Sequence, residues 1–480
     1  MPVLATIGTD ALKAYDYAAD YNRDQYFSSV GGLIVGEGAN GNNNKTFLDS
    51  TGLNTVTNTG TFIQQGTYSP FTKYTYAPYN PLRRGGSALF TGTASNYLSV
   101  ADSASLEVGN SNFCLEFFIS PSSVAAGVST LVAKRATAAG FGPFVIVRST
   151  TSILVYMSSN GTSYDVANGV NIGTVAADTW YHIALYRVGT AIYGSVGGTV
   201  VTVNGSTSAT LTNNTSAIYI GADSASQTYN GYMSSLRLVI GSSVYTSSNF
   251  TPPALPLTAI TNTQLLINFT NSFVYDAAQN TDLVTIGTAG LSTSLTKWGG
   301  ASISLPTGAG NYIQSVYAPN LAMGSGDFTI DFWVYQASSA TSYVIEIYSN
   351  NSGRLTIRVN ADRTIGVYTN NLNTVVTTTA AYKITYGVWS HIAVMRTISN
   401  TDIGVYIDGV RGNGATTNST TFSSSGGLAL GGLYTTAQTG GSGGINIEDL
   451  RLTPGVIRFT ASTTLGAQAF IPPNGPAPLV

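Results

Sequence analysis

The chain has two histidines, and they occupy matching places in two copies of one octapeptide: Trp180-Tyr-His182-Ile-Ala184-Leu-Tyr-Arg187 and Trp389-Ser-His391-Ile-Ala393-Val-Met-Arg396. An imidazole beside a carboxylate can do acid–base chemistry, and the repeat offers one in each copy. Glu116 lies in Phe113-Cys-Leu-Glu116-Phe-Phe118 and Asp331 in Phe328-Thr-Ile-Asp331-Phe-Trp333. A catalytic centre has no reason to occur twice in apolar strands, so each pair is read as a buried structural hydrogen bond. Arg237 and Arg451, both in Leu-Arg-Leu, are expected to partner those carboxylates or to lie exposed on their strands. The single cysteine, Cys114, excludes an intrachain disulfide, and its place between Phe113 and Leu115 marks it as a small core filler.

Other landmarks keep the same separation. Asn96-Tyr97-Leu98 recurs as Asn311-Tyr312-Ile313 (311 − 96 = 215), and Phe113 recurs as Phe328 (328 − 113 = 215). Leu236-Arg237-Leu238 answers to Leu450-Arg451-Leu452 (450 − 236 = 214), while the histidines are 391 − 182 = 209 apart, a drift that small loop insertions explain. Each copy closes on a Pro-Pro pair, Pro252-Pro253 and Pro472-Pro473, where a sheet strand must stop. A period above 200 residues is a tandem domain, not a solenoid repeat.

Charged residues are 9% of the chain and the formal net charge is −2, so no broad basic surface attracts nucleic acid or anionic membrane. Ser, Thr, Asn and Gly replace the missing charge, the balance of a turn-rich β protein. The first residues show neither a basic start nor an apolar run long enough for a secretory signal, and no run approaches the ~20 apolar residues of a membrane span.

Residues 1–28 stand apart as an N-terminal extension and possible docking arm. Thr9 can cap a short helix with Asp10 in its first turn and Leu12, Tyr15 and Ala19 at helical spacing. From Tyr26 onward the pattern is strand and turn, with strands expected over 144–147, 153–157, 180–187, 191–196, 217–220 and 233–240. The second copy repeats them over 343–348, 354–359, 364–368, 389–395, 403–407 and 445–452. In 113–119 both alternating faces are largely apolar, which suits an inner sandwich strand whose second face is covered or forms a groove. The expected division is residues 29–260 for the first domain and 261–480, with its Pro-rich tail, for the second. Gly31-Gly-Leu-Ile-Val-Gly36 would open the first, and Thr263–Phe269 would link out of the first or open the second.

These strands, with Asn42–Ser50, Tyr26-Phe-Ser-Ser-Val30, Asn230-Gly-Tyr-Met-Ser-Ser-Leu-Arg-Leu238 and Phe250-Thr-Pro-Pro253, resemble laminin G-like, concanavalin A-type jelly-roll modules, in particular those of structural proteins of tailed bacteriophages of marine bacteria and cyanobacteria. The likeness covers about residues 26–473. It implies an all-β fold of two tandem antiparallel jelly-roll sandwiches and a non-enzymatic virion protein, a tail appendage or capsid decoration, at the virion surface. Its partners would be other capsid, tail or appendage subunits, further copies of itself as a homo-oligomer, and host surface polysaccharide.

The same fold carries glycosidases, whose two carboxylates stand on one strand face in a Glu-x-Asp-x-x-Glu pattern. None of the five glutamates, Glu37, Glu107, Glu116, Glu346 and Glu448, lies in it, and the neighbours Glu448 and Asp449 are expected on opposite strand faces. A polysaccharide-degrading enzyme and a bacterial surface adhesin are the alternatives. Calcium is the usual metal of the wider fold. Asp102, Asp165 and Asp223 are its loop candidates, no two at a spacing that demands a site, so no cofactor is expected. For carbohydrate, Tyr229 and Asn230 with Asp223 form the expected rim contact in the first copy, since the matching loop 434–444 lacks a second aromatic.

Overall fold

The computed structural model describes residues 24–37, 45–60, 63–71, 79–135, 137–223, 227–270, 274–308, 310–315, 319–349, 353–370, 372–397, 399, 401–434 and 443–478. The helix expected around Thr9 to Ala19 lies outside them. Among the described residues the one α-helix is the single turn Pro81–Arg84, capped by the Asn80 side chain; everything else is strand, 3-10 turn or loop. The chain is all-β because apolar residues alternate with Thr, Ser and Tyr along its strands, a period-2 pattern that buries one face of a sheet.

Two compact units result. In the first module, Thr199–Asn204, Ala191–Val196, Tyr181–Val188, Phe113–Pro121, Asn230–Ile240, Ser87–Thr91 and Gln64–Gly66 pair in that order. They face a second sheet running from Ala167–Thr174 through Val145–Ser149 and Val128–Ala133 to Val56–Thr59. Phe113, Leu115, Phe117 and Ile119 enter the core between the sheets with Leu131, Ile146 and Ile183. The second module repeats the plan. Phe328–Gln336 sits between Ile445–Pro454 and Ser390–Thr397, and Phe328, Ile330, Phe332 and Val334 point into its core.

The outer face of each central strand is covered as well. Cys114 packs with Ala184, Tyr186 and Val239 under Tyr245 and Phe250, and Ala393, Met395 and Tyr406 lie under Phe459 and Phe470. The doubly apolar pattern of 113–119 thus reflects a strand buried on both faces.

The closing strands depart from the order the repeat suggested. Thr263–Ile267 pairs antiparallel with Asn230–Ile240 and completes the first module. Gly32–Gly36 lies in the second unit, between Ile445–Pro454 and Val274–Asp276. Each strand is fixed by the same device. The Leu266 amide donates to Asp49 Oδ1 at 2.9 Å, and the Leu33 amide donates to Asp276 Oδ1 at 2.8 Å. A division at residue 260/261 separates each closing strand from the module that holds it. Local pattern marks both segments as strands but cannot say which sheet edge they join.

Candidate functional site

The two histidine centres are equivalent and buried. In the first module Glu116 accepts from His182 Nε2 at 3.1 Å, from Arg237 Nη2 at 2.6 Å and from the Tyr245 hydroxyl at 2.6 Å. In the second, Asp331 Oδ2 accepts from His391 Nε2 at 3.4 Å and from Arg451 Nη2 at 2.6 Å. Burial alone would raise both carboxyl pKa values. It is outweighed at Glu116 by His182, Arg237 and Tyr245, and at Asp331 by Arg451 and His391, which hold that group at about 2. Glu116, His182, Asp331 and His391 are all 2% exposed or less, although Asp331 forms part of the wall of a recess in the second module. Stacked pairs cover the rings: Tyr245 on Phe250 at 3.7 Å and Phe459 on Phe470 at 4.4 Å. Where Tyr245 supplies a hydroxyl, Phe459 has none, and the second centre instead gains Arg458, which pairs with Asp24 at 2.5 Å.

The expected rim contact in the first module does not assemble. Tyr229 is 1% exposed, packs against Phe90 and donates its hydroxyl to the Tyr232 carbonyl at 3.2 Å, so its ring belongs to the core. Asp223 is buried against Arg135 at 2.6 Å. Asn230 alone of the three is exposed. Tyr229, immediately before the strand Asn230–Ile240, turns its ring into the core and offers no platform. The loop aspartates named for calcium are engaged too: Asp102 with Lys134, and Asp165 with the Ser159 amide at 2.8 Å. Among the described residues no cluster of three or more His, Cys, Asp or Glu side chains could hold a metal ion.

An open pocket lies in the second module, at a bulge. Opposite Phe328–Gln336, the register of Ile445–Pro454 slips between Arg451 and Glu448, and Asp449 takes a φ of +53°. A bulge inserts an extra residue and breaks the alternation of faces. Glu448 and Asp449, expected on opposite faces, therefore line one pocket of about 490 Å3, with Trp298, Glu37, Val35 and Ala477. A smaller recess of about 380 Å3 shares Asp449 and reaches Trp333 and Arg451.

The pocket pairs acid with aromatic surface. Trp298 is half-buried and meets Trp333 edge-on at 5.4 Å. Lys297 Nζ lies 3.9 Å from the Trp333 ring centre, and the Lys297 amide donates to Glu448 Oε1 at 2.5 Å. Asp449 Oδ2 accepts from the Ala477 amide at 3.0 Å. Burial, reinforced by the neighbouring Asp449, pushes Glu448 up to about 7, and burial raises Asp449 as well. Near neutral pH Glu448 can thus donate as well as accept a hydrogen bond. An apolar-walled pocket with a few convergent polar groups is the usual form of a small-ligand site.

The bulge had a signature in the sequence. Ile445 and Ile447 face the core, and so do Leu450 and Leu452, so the apolar positions change parity across Glu448-Asp449. The first module shows the same shift: Met233 and Leu236 flank Ser234-Ser235, and Ser235 has a φ of +46°.

A family model described as the concanavalin A-like lectin/glucanases superfamily matches residues 91–240 and 307–454. No curated protein sequence matches the chain. Among solved structures it is similar to mouse laminin α1 chain domains LG4-5, at 12% identity over 80% of this chain and 93% of that one with a TM-score of 0.25. It is also similar to domain 4 of the extracellular arabinanase AbnA of Geobacillus stearothermophilus in complex with arabinotriose, at 14% identity over 43% and 92% with a TM-score of 0.28. A third is the binding domain of botulinum neurotoxin serotype G, at 9% identity over 88% and 98% with a TM-score of 0.31.

Proposed function

The chain belongs to the concanavalin A-like lectin/glucanase superfamily, and from that premise we propose that it is a non-enzymatic adhesive protein whose second module binds carbohydrate in the Trp298–Glu448–Asp449 pocket. The observation that carries this reading is the bulge that turns two consecutive carboxylates beside a half-exposed indole. Sugar rings present C–H faces that pack on aromatic surface and hydroxyl pairs that donate to carboxylates, so this combination matches the chemistry of a saccharide.

Binding is favoured over hydrolysis by where the acids stand. A glycosidase flanks the scissile bond with two carboxyls, ~5–5.5 Å apart when retaining and ~6.5–9.5 Å when inverting. Consecutive residues at one bulge approach a ligand from one side. The resemblance of the strands to tailed-phage modules supports a place on the virion surface, with host polysaccharide as the ligand and other virion subunits, including further copies, as partners.

Binding of host polysaccharide fragments to the intact protein by calorimetry, beside a reducing-end assay of the same mixture, tests the proposal. Saturable binding weakened roughly tenfold by Trp298→Ala, with no new reducing ends, is the expected result. Release of reducing ends, abolished by Glu448→Gln, would turn the reading into that of a hydrolase.

A further inference from the structure

Both modules are finished by a strand from outside their own copy of the repeat. Counting copies by their opening strands, Gly32–Gly36 opens copy one and Thr263–Ile267 opens copy two. The first module is nevertheless closed by the strand of copy two, and the second by the strand of copy one. The two slots superpose residue by residue. Ile267 pairs with Leu236, Leu266 with Arg237 and Leu265 with Leu238. Ile34 pairs with Leu450, Leu33 with Arg451 and Gly32 with Leu452. Asp49 in one slot and Asp276 in the other take the amide of the central leucine.

The donors are not interchangeable. Leu265 is buried in the first core, whereas its counterpart in the second slot is Gly32. A Cβ at Gly32 would lie 3.2 Å from Leu321 Cδ2, and one at Gly31 would lie 2.6 Å from the Asn320 carbonyl oxygen. At the place of Leu265 a side chain would be tight against Leu321 and Leu452, and at the preceding place, Gly31, it would meet backbone. The second slot is built for the Gly31–Gly36 segment, and the chemistry that fits it is a strand of sequence Gly-Gly-Leu-Ile.

We propose that this slot is a strand-acceptor site between copies of the chain: the Gly32–Gly36 strand of one molecule closes the second module of another, giving head-to-tail assemblies. Donation within or between molecules makes the same backbone pairs and the same bond to Asp276, so local contacts do not distinguish them. What distinguishes them is the cost of closing the loop within one chain against protein concentration. The relation is heterologous, since each molecule gives a strand at one place and accepts one at another, so it can propagate beyond a dimer.

The test is refolding of the full chain over a range of concentrations, with mass read by light scattering. The multimeric fraction should rise about tenfold when the refolding concentration is raised about tenfold, while multimers remain the minority, and an excess of a synthetic peptide of residues 24–37 should suppress it. The variant Leu33→Asp should form no multimers. Its second module should melt early and be restored by the 24–37 peptide but not by the same peptide carrying Gly32→Leu. A monomer at every concentration, multimers that persist in Leu33→Asp or in excess peptide, or a variant that the peptide fails to restore would overturn the proposal.

Discussion

The same bulge occurs in both modules and carries opposite chemistry. In the first it holds Ser234 and Ser235, both fully buried, with the Ser234 hydroxyl donating to the Gly86 carbonyl at 2.6 Å. In the second it holds Glu448 and Asp449 at the wall of a pocket. The backbone irregularity is thus part of the shared fold, and only the side chains set on it differ. Beside it the modules share a second feature, the buried carboxylate–histidine–arginine centre, which they retain with one exchange of carboxylate and one exchange of covering hydroxyl. What is common to both copies reads as architecture, and what is present in one copy reads as function.

The largest expected effect breaks the common part. Arg237→Ala and Arg451→Ala each leave a buried carboxylate without its main counter-charge and should cost about 3–5 kcal/mol in chemical denaturation. If either substitution were neutral, the centres would not be structural. His182→Ala and His391→Ala should cost less, roughly 1–3 kcal/mol each, because one hydrogen bond per carboxylate is lost while the arginine stays. Loss of glycan binding at unchanged stability in either variant would contradict the division between architecture and function.

The acid responses of the two modules sharpen the contrast further. Glu116 and Asp331 are both held below their usual range, Asp331 at about 2, so their stabilisation is complete above the unfolded carboxylate pKa of ~4 and is lost as pH falls toward the folded values. Glu448 has the opposite sign. Its folded pKa of about 7 lies above the unfolded value of ~4.3, so the folded state binds the extra proton between them. Stability of the second module should therefore fall as pH rises from ~4.3 to about 7 and level off above it, a shift of a few degrees in melting temperature. Asp276, raised by burial to about 6 in the same module, adds a slope of the same sign below that value, so Glu448→Gln should remove the part of the slope between about 6 and about 7 and leave the lower part. A slope between about 6 and about 7 that survives the substitution would assign it to another group.

Much of this was legible in the residues. The duplication, the strand positions and the pairing of each histidine with a carboxylate follow from in-register apolar patterns, because period-2 burial writes itself into composition. The pocket was hidden by one assumption, strict alternation through Ile445–Pro454, although the parity change between Ile447 and Leu450 records the bulge. Tyr229 misled because an aromatic next to Asn230 looks the same in sequence whether its ring turns out or, as here, inward against Phe90. The exchange of closing strands left no local trace. Gly32–Gly36 and Thr263–Ile267 are both short apolar strands, and their places are decided by Asp276 and Asp49, far away in the chain, and by the space around Gly31 and Gly32, which local pattern does not reveal.

Glycan binding by a double substitution that gives the second bulge the residues of the first, Glu448→Ser with Asp449→Ser, tests the central claim most directly. Titrated calorimetrically with host polysaccharide fragments beside the unaltered chain, it should retain both folded modules and lose saturable binding. Undiminished binding by this variant would contradict the claim that the acidic bulge of the second module is the carbohydrate site.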